Sequence, residues 1–432
     1  MTAHADTTEL SVTGWPGLTT RLLRSEQGTE SLVAYTATGG YRPLGQAETL
    51  LAEVTAAGVQ GRGGAAFPLG VKLTTVRTSH LAGWDTVVLA NGEEGEPASI
   101  KDRWLLRNRP HLVLDGLRLA AHMVGARHAH VYVSDADAAA AVTGALAELG
   151  PDALGGVSVS LRVVDPGYVA GEETAAVRAI NGGPAKPSDK PPRPFLEGIG
   201  GLPTLVSNVE TLSNLPFIAA HGAAAYRSAG TDASPGTFLA TVTAAGHDPV
   251  LYELPHGIGF AELLAQHGLA PESIRGALLG GYFAGLANRD VLEATVDHAG
   301  FAGIGAALGC GAIALITTEC PVAVAASVLE YFSRENAGQC GSCFNGTAAM
   351  AAVAVALRDG TADADDLARL RRWSQVLRGR GACGTLDAAT NVAASLLDKF
   401  GADVDAHLAN ACPVCASGAY AAEKPFAVEA AR

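Results

Sequence analysis

The cysteines of this chain, by their number and position, are the residues best suited to metal chemistry. All seven lie between Cys310 and Cys415, and the first 309 residues contain none. The stretch "RENAGQCGSCFNGT" separates Cys340 and Cys343 by two residues, the spacing of a turn that binds a metal or a cluster. A disulfide framework would spread the cysteines more evenly, and Met1–Leu10 carries acids but no apolar core, so no signal peptide is predicted. The pattern therefore predicts a metal or iron–sulfur site towards the C-terminal end.

A glycine-rich stretch, "GRGGAAFPLGVKL" (61–73), is suited to a different chemistry. Its small residues allow the backbone to approach an anion and to point several N–H groups at it, and Lys72 adds a compact positive charge. The spacing matches neither the G-x-G-x-x-G fingerprint nor a P-loop. From the residues alone, a phosphate-binding loop and an ordinary tight turn both stay open.

Acidic side chains are concentrated in two further loops, each of which follows a predicted strand. "NGEEGEPASIKDR" (91–103) holds Glu93, Glu94 and Glu96, which repel one another, so a purely structural loop has little reason to collect them. Such carboxylates can accept hydrogen bonds from ribityl hydroxyls or amide groups of a cofactor, although a solvated acidic turn is an equal alternative. "YVAGEETAAVRAINGG" (168–183) opens a helix, where acids are also ordinary partners of the helix dipole.

The surrounding pattern predicts how these loops are positioned. Residues 1–60 are predicted to form a helical lead-in, and residues 61–220 alternate between helices and short β-branched runs such as "DTVVLANG" (85–92). This alternation predicts a largely parallel sheet, whose ligands lie beyond the carboxyl ends of its strands. Residues 236–300 indicate a small α+β module, and residues 321–432 are mostly helical with cysteines at the helix ends.

Charge and hydropathy argue against two functional classes. The formal charge is −13 with acids spread along the chain, whereas a nucleic-acid-binding protein needs a clustered basic face. The uncharged stretch "AGFAGIGAALGCGAIALITT" (299–318) is long enough to span a membrane, but its five glycines favour a glycine-rich loop followed by a buried strand. We therefore expect a soluble protein with no nucleic-acid partner and no transmembrane segment of its own.

Together, these loops and "PPRPFLEGIGGLPTLVSNVETLSNLP" (191–216) closely resemble the NADH-oxidising flavoprotein component of respiratory complex I. Its relatives include the diaphorase subunits of NAD-linked hydrogenases and formate dehydrogenases, and the resemblance covers roughly residues 39–400. It implies FMN on an α/β Rossmann-like domain, a small β-grasp (ubiquitin-like) module, and a C-terminal helical bundle with a [4Fe–4S] iron–sulfur site. The implied activity is that of an FMN-dependent NAD(P)H dehydrogenase, in which NADH or NADPH gives hydride to the flavin and single electrons leave through the cluster.

The resemblance also implies roles for individual residues. The FMN phosphate would be bound by Gly61, Arg62, Gly63, Gly64 and Lys72. The ribityl chain and the ring would be bound by Asn91, Glu93, Tyr168, Gly171, Glu172 and Asn208. Glu94, beside the isoalloxazine, and Glu96, facing the nicotinamide, would be the catalytic residues. Phe67, Glu173, Lys190 and Arg193 would complete the nucleotide site.

The chain departs from the family pattern at the adenine end of the nucleotide. The family places adenine between phenylalanines, whereas Thr75 and Arg193 occupy two of those positions here and only Phe67 remains of the set. The guanidinium of Arg193 can stack on adenine or bind a 2′-phosphate, which predicts relaxed or NADPH-leaning specificity. Ala66 and Ser207, in place of a glycine and an asparagine, are mild changes.

A second departure affects the cluster. The family motif has three cysteines at C-x2-C-x2-C spacing and a distant fourth, but Ala337 stands at the first position. Cys340, Cys343 and Cys383 remain, one thiolate short of the usual set. Three outcomes are open: a three-ligand cluster, no cluster, or a replacement ligand from the stretch "NACPVCASG". We expect an iron–sulfur cluster completed by Cys412, with a zinc site formed by the two C-x2-C pairs as the alternative.

Two functional hypotheses follow. The leading one is an enzyme that passes electrons to a partner protein, either ferredoxin-like or another oxidoreductase subunit. The alternative is a degenerate relative that binds flavin or a partner without oxidising NADH efficiently. The intact flavin loops and the three retained cysteines favour the enzyme. We expect a cytoplasmic protein, and a place at the periphery of a membrane complex is compatible with that expectation.

Overall fold

The structure is a computed structural model that describes residues 10–26, 28–150 and 152–428. Residues 1–9 and 429–432, which belong to the predicted lead-in and to the predicted helical region, lie outside the described residues.

The described residues form two sheets. The strands are β1 (Ser11–Gly14), β2 (Val87–Asn91), β3 (His128–Val133), β4 (Ser158–Val163), β5 (Thr204–Asn208), β6 (Thr237–Ala244), β7 (His247–Pro255), β8 (Gly276–Leu279), β9 (Leu286–Ala287) and β10 (Ala312–Ile316).

Helices surround the first sheet and make up most of the chain after β10. They are α1 (Leu32–Ala37), α2 (Ala47–Ala57), α3 (Leu69–Leu81), α4 (Lys101–Asn108), α5 (Pro110–Val124), α6 (Ala136–Glu148), α7 (Glu173–Ile180), α8 (Val209–Ser213), α9 (Leu215–Arg227), α10 (Phe260–Gln266), α11 (His298–Gly303), α12 (Pro321–Glu335), α13 (Gly341–Arg358), α14 (Ala364–Val376), α15 (Thr385–Lys399) and α16 (Gly401–Leu408).

The first sheet is parallel throughout, with the order β4-β3-β2-β5. The apolar residues of β2 are buried because helices cover the sheet, and α5 buries every residue except His122. Pro110 begins α5, where its missing N–H costs nothing, and Gly125 ends it in a left-handed conformation with φ +74°. The register pairs Asn91 with Asn208 at the carboxyl ends of adjacent strands, so two polar side chains meet at one edge.

The second sheet is mixed and has the order β1-β7-β6-β10-β8-β9. β6 and β7 form an antiparallel hairpin, β10 runs parallel to β6, and β8 runs antiparallel to both β10 and β9. Two of its strands lie outside the range 236–300 of the predicted α+β module. β1 comes from the predicted helical lead-in, and β10 follows the glycine-rich stretch.

The uncharged stretch 299–318 folds as a loop and a strand. α11 ends at Gly303, a glycine-rich loop follows, and all five residues of β10 are buried in the second sheet. Across the described ranges, every helix is too short or too polar to cross a bilayer.

The last part of the chain is helical, and its core joins α12, α13 and α15. After α16, residues 411–428 return as an irregular segment across this core. The segment ends against the acidic loop, where the N–H of Val428 donates to the carbonyl oxygen of Pro97 at 2.9 Å. The acidic loop therefore has contacts with all three parts of the fold.

Candidate active site

A cavity of about 400 Å³ opens where the carboxyl edge of the first sheet faces the second sheet and the helical region. That size suits a cofactor or a drug-sized ligand. Its walls hold Gly63, Gly64, Asn91, Glu93, Glu94, Glu96, Tyr168, Gly171, Glu172, Asn208 and Cys383 from the predicted site, together with Asp102 and Cys310. A larger cavity of about 820 Å³, near Arg21 and Tyr35, contains none of the residues that the sequence singles out.

Two asparagines at the sheet edge connect the loops around this cavity. The Nδ2 of Asn91 donates to the carbonyl oxygen of Gly171 at 2.7 Å, which joins the acidic loop to the loop before α7. Asn208 caps α8 by accepting from the N–H of Glu210 at 3.0 Å, and its Nδ2 donates to Asp102 at 2.7 Å. Through these hydrogen bonds, the residues at the carboxyl ends of β2 and β5 hold the loops around the cavity in place.

Glu93 supplies a buried acceptor to the cavity wall. Its Oε1 accepts from the hydroxyl of Ser134 at 3.3 Å, whereas its Oε2 has no partner among the described residues. Burial raises the pKa of Glu93 to about 8. A Cβ on Gly171 would come within 2.6 Å of this Oε2, so the close approach of the two loops requires glycine at position 171. A ligand hydroxyl would satisfy the unpaired oxygen.

Glu94 has a structural role that its sequence position does not reveal. Its Oε1 accepts from the hydroxyl of Ser99 at 2.5 Å and from the N–H of Asp102 at 3.2 Å. Its Oε2 accepts from the N–H and the Nε of Arg103 at 3.0 and 3.3 Å. The carboxylate of Glu94 thus accepts four hydrogen bonds from the protein and stabilises the start of α4. Its role beside the isoalloxazine stays a prediction.

Glu96 connects the acidic loop to the second sheet. Its two oxygens accept from the backbone N–H groups of Ala98 at 3.3 Å and Tyr282 at 3.0 Å. Burial raises the pKa of Glu96 to about 7 despite these bonds. Gly281, with φ +79°, allows the Tyr282 N–H to approach, because a Cβ there would lie 2.4 Å from the carboxylate.

Behind the cavity lies a buried ion network that the sequence analysis missed. The Nζ of Lys101, which is 1% exposed, lies 2.7 Å from Asp102 and 3.0 Å from Glu210. Asp102 is also bonded to Asn208, so the network supports the cavity floor. The acidic loop does contain a lysine beside an acid, in "IKDR", after a predicted strand. That both charges are buried, however, is visible only in the fold.

Arg62 and Gly61, which were predicted to bind the FMN phosphate, both lie outside the cavity wall. Arg62 is 4% exposed. Its guanidinium donates to the carbonyl oxygen of Thr237 at 3.0 Å and lies 3.8 Å from Glu210. The side chain therefore ties the glycine loop to the second sheet, which leaves Gly63 and Gly64 as the loop glycines that face the cavity.

Three residues assigned to the nucleotide, Glu173, Lys190 and Arg193, form a cluster of alternating charge with Lys72, which was assigned to the FMN phosphate. The cluster lies beside Glu172 of the cavity wall and is called the rim cluster below. Glu173 lies 3.9 Å from Lys72, 3.7 Å from Lys190 and 3.5 Å from Arg193. Lys190 also binds Glu172 at 2.6 Å. The Arg193 side chain is 57% exposed.

Lys72 lies beneath this rim cluster. Its Nζ is 5.8 Å from the centre of the Phe67 ring and 3.3 Å from the carbonyl oxygen of Val206, and burial lowers its pKa. Phe67 itself is 44% exposed, which leaves its ring accessible to a ligand.

Three of the predicted cluster cysteines are close together beside the cavity. The N–H of Ala382 lies 3.4 Å from the Sγ of Cys340, which brings the loop of Cys383 against the C-x2-C pair. Burial, and then the neighbouring thiols of Cys383 and Cys340, raise the pKa of Cys343 to about 12. Ala337 presents its carbonyl oxygen to Lys186 at 2.9 Å, and its methyl group cannot bind a metal.

The structure does not bring Cys412 to these three cysteines, which corrects its predicted place in the cluster. Its Sγ lies 3.8 Å from that of Cys320. In the described ranges it belongs to a separate group with Cys320, His407 and Cys415. The physical reason is the path of the chain: residues 411–415 turn back onto the start of α12, at the end opposite Cys340. The cluster group therefore offers three thiolates.

Comparison with protein families and known proteins agrees with this geometry. Residues 54–216 match the Nuo51 FMN-binding domain, and residues 323–407 match the NADH-ubiquinone oxidoreductase-F iron–sulfur binding region. An NADH-quinone oxidoreductase subunit of Rhizobium meliloti is 32% identical over 398 residues, 87% of this chain and 94% of that protein. NADP-reducing hydrogenase subunit HndC of Solidesulfovibrio fructosivorans is 30% identical over 88% of this chain and 81% of its own length.

Among solved structures, an NAD⁺-reducing [NiFe]-hydrogenase in the air-oxidised state matches with a TM-score of 0.76 and 29% identity. The match covers 84% of this chain and 63% of the hydrogenase chain. The predictions of an oxidoreductase with FMN, an iron–sulfur region and a nicotinamide substrate are confirmed at the level of the family. This chain belongs to the family of NADH-quinone oxidoreductase subunits that join an FMN-binding domain to an iron–sulfur binding region.

Proposed function

We propose that this protein oxidises NADH or NADPH with FMN bound in the 400 Å³ cavity and passes the electrons to an iron–sulfur cluster beside it. The observation that carries the proposal is the cavity lining. One wall is the acidic loop of the FMN-type domain, and another contains Cys383 of the cluster group. A ligand in this cavity touches both the flavin loops and a cluster thiol.

The residues present fit FMN. The unpaired Oε2 of Glu93 is placed to accept from a ribityl hydroxyl, and Gly63 and Gly64 expose backbone at the cavity wall. Gly64 has φ +111° and open space where a Cβ would stand, as a phosphate-binding turn needs. When bound, FMN accepts hydride from the nicotinamide and releases electrons singly. The protein's part is to orient the flavin and to exclude water.

We assign the nicotinamide nucleotide to the rim cluster. Lys190 and Arg193 provide two cations beside Glu173, a charge pattern suited to a pyrophosphate with adjacent hydroxyls. Lys72, on the other side of Glu173, keeps its proposed role at the FMN phosphate. The exposed guanidinium of Arg193 is free to stack on adenine or to bind a 2′-phosphate. This supports the expectation of relaxed or NADPH-leaning specificity.

We propose that the cluster is held by Cys340, Cys343 and Cys383, with one iron that has no cysteine ligand. The proximity of these thiols supports it, and the separate location of Cys412 removes the replacement ligand. A [4Fe–4S] cluster normally has four cysteine ligands, so the fourth iron here would be bound by solvent or easily lost. Electron paramagnetic resonance of anaerobic and air-exposed protein tests this: conversion to a three-iron signal on mild oxidation supports it, and a stable four-iron cluster contradicts it.

The finer fold assignments also remain proposals. The order β7-β6-β10-β8-β9, with α10 after the hairpin, supports the proposal of a β-grasp module, to which β1 would add an edge strand. The parallel first sheet, with ligand-binding loops at its carboxyl edge, supports a Rossmann-like description. The predicted ranges 61–220, 236–300 and 321–432 serve as a working division into domains.

We further propose that the electron acceptor is a protein, either ferredoxin-like or another oxidoreductase subunit, in the cytoplasm. The relatives are named as subunits of a quinone oxidoreductase and of a hydrogenase, which supports a place in an assembly.

A steady-state assay tests the activity without the native acceptor. Anaerobically purified protein should oxidise NADH or NADPH with ferricyanide, which accepts electrons directly from the flavin. Cys340→Ser, a cluster variant at a residue outside the cavity wall, should retain this rate. Protein that binds FMN but oxidises neither nucleotide would instead support the alternative of a degenerate, flavin-binding relative.

A further inference from the structure

A second group of metal-binding side chains lies outside the flavin and cluster sites. It consists of Cys320, His407, Cys412 and Cys415, and the four ligand atoms lie within 4.8 Å of one another. Cys320 directly precedes α12, His407 lies near the end of α16, and the two tail cysteines form the turn that follows. Three of the four residues are buried, and Cys415 is half-buried.

The separations between the ligand atoms suit one tetrahedral metal ion. The Sγ atoms of Cys320 and Cys412 are 3.8 Å apart. The Nε2 of His407 lies 3.2 Å from the Sγ of Cys320 and 3.6 Å from that of Cys415. With Zn–S near 2.3 Å and Zn–N near 2.0–2.1 Å, tetrahedral angles require about 3.8 Å between two sulfurs and about 3.6 Å between sulfur and nitrogen. The thiolates around an iron–sulfur cage stand farther apart, because iron and sulfide separate them.

The imidazole of His407 is oriented for metal binding. Its Nδ1 lies 3.1 Å from the carbonyl oxygen of Leu357, which can only accept a hydrogen bond. Nδ1 therefore carries the proton, and the lone pair of Nε2 faces the three sulfurs. A backbone carbonyl on the outer nitrogen is the usual support of a metal-bound histidine.

We propose that Cys320, His407, Cys412 and Cys415 bind one Zn²⁺ as a closed structural site, separate from the iron–sulfur cluster. Three thiolates and one imidazole are a ligand set that zinc favours, and they leave no open position for substrate. This assigns a task to both tail cysteines and to Cys320, none of which belongs to the cluster group.

The site would anchor the C-terminal segment near the flavin cavity. After Cys415, the segment runs to the acidic loop, and on the way the hydroxyl of Tyr282 donates to the carbonyl oxygen of Pro425. The carbonyl oxygen of Val428 accepts from Arg103 at 3.2 Å, and its N–H donates to Pro97. Metal at one end and these bonds at the other hold residues 411–428 across the helical core.

Metal analysis of variants tests the proposal, with iron and zinc measured on the same anaerobically purified samples. Wild type should contain about one Zn²⁺ per chain, and Cys412→Ser and Cys415→Ser should lose most of it while keeping their iron. Cys343→Ser is the matched control, because it breaks the other C-x2-C pair: iron should fall and zinc should remain. Tail variants should also be cut faster by protease between residues 411 and 428.

X-ray absorption at the zinc edge of wild type keeps the proposal testable if the variants fail to fold. It should show three sulfurs at about 2.3 Å and one nitrogen at about 2.0–2.1 Å. Wild type purified from zinc-replete medium without zinc would show that the group is only a thiol–imidazole hydrogen-bond network, and would overturn the proposal. Iron lost with the tail cysteines, or zinc unchanged in both tail variants, would overturn it as well.

Discussion

Lys101 gives the sharpest test of how the cavity floor is built. Its Nζ lies 2.7 Å from Asp102 and 3.0 Å from Glu210, and the Lys101 and Glu210 side chains are each 1% exposed. Burial alone would lower the pKa of Lys101, but the two carboxylates outweigh it and raise the pKa above its ordinary value, so the lysine is charged. The substitution Lys101→Met removes that charge with little change in volume.

Breaking a buried ion pair on one side leaves the other charge unpaired, at a cost of about 3–5 kcal/mol. We expect Lys101→Met to fall in this range, since it leaves the buried carboxylates of Asp102 and Glu210 facing each other. The double variant Lys101→Met/Glu210→Gln removes one of them and should recover part of the loss, with a coupling of about 1–3 kcal/mol. Because Asp102 and Asn208 line the cavity, the single variant should also retain less FMN on purification.

Urea unfolding of wild type, Lys101→Met, Glu210→Gln and the double variant measures the loss of stability and the coupling energy. The absorbance of the purified proteins measures how much flavin they retain. A shift of the urea midpoint at unchanged slope reports stability itself. A Lys101→Met variant within about 1 kcal/mol of wild type, or a double variant with purely additive losses, would refute the buried network as a support of the site.

Three further predictions concern the cavity and its rim. Burial raises the pKa of Glu93 to about 8 and that of Glu96 to about 7. Between the ordinary pKa of a glutamate and these raised values, the folded flavin-free protein keeps protons on the two carboxyls that the unfolded chain has already released. These two carboxyls therefore contribute less to stability as pH rises from about 5 to 8, while buried histidines such as His256 and His267, whose pKa values are lowered, act in the opposite direction. The free energy of unfolding of Glu93→Gln relative to wild type should rise over this range, and a difference that does not change with pH would show that the Glu93 carboxyl is not buried. Gly171→Ala should lower FMN occupancy, because the added Cβ would lie 2.6 Å from the carboxylate of Glu93. Gly144→Ala is the control, since its Cβ would meet nothing within 4 Å, and equal FMN occupancies in the two variants would contradict the close loop packing. Arg193→Phe should increase the ratio of kcat/KM for NADH to that for NADPH, and no gain would place Arg193 away from the adenine end.

The cofactors were predicted through the family resemblance, which depends on the glycine and acidic loops as continuous stretches in the family's order. The alternation of strands and helices predicted a largely parallel sheet with its ligands beyond the carboxyl ends of the strands. In the structure, the strands that end at Asn91 and Asn208 are adjacent and parallel, so these two residues meet at that edge. The buried strand β10 within the uncharged stretch could also be predicted, because the five glycines of that stretch favoured a loop and a strand over a membrane span.

The directions of side chains were not predictable in the same way. Arg62 stands among the loop glycines, yet its guanidinium binds the second sheet, because the strand bearing Thr237 passes behind the loop. Glu94 follows a strand like its neighbours but caps α4. Such assignments depend on contacts between residues distant in the chain.

The tail cysteines illustrate the same limit. Cys412 and Cys415 gave a clear C-x2-C signal, but their partners Cys320 and His407 stand apart from any motif. His407 lies 87 residues beyond Cys320, and only the packing of α16 against the start of α12 brings them together. The family resemblance concerns the cluster motif, in which Ala337 replaces a ligand, and not this second group.

An anaerobic titration tests whether this chain takes hydride from a nicotinamide nucleotide onto FMN and passes single electrons to a cluster. Purified yellow protein is titrated with NADH and, separately, with NADPH, while flavin absorbance and the electron paramagnetic resonance of the cluster are recorded. We expect the flavin band to bleach with at least one of the two nucleotides and a reduced-cluster signal to appear in the same samples. Yellow protein whose spectrum is unchanged by either nucleotide would contradict it.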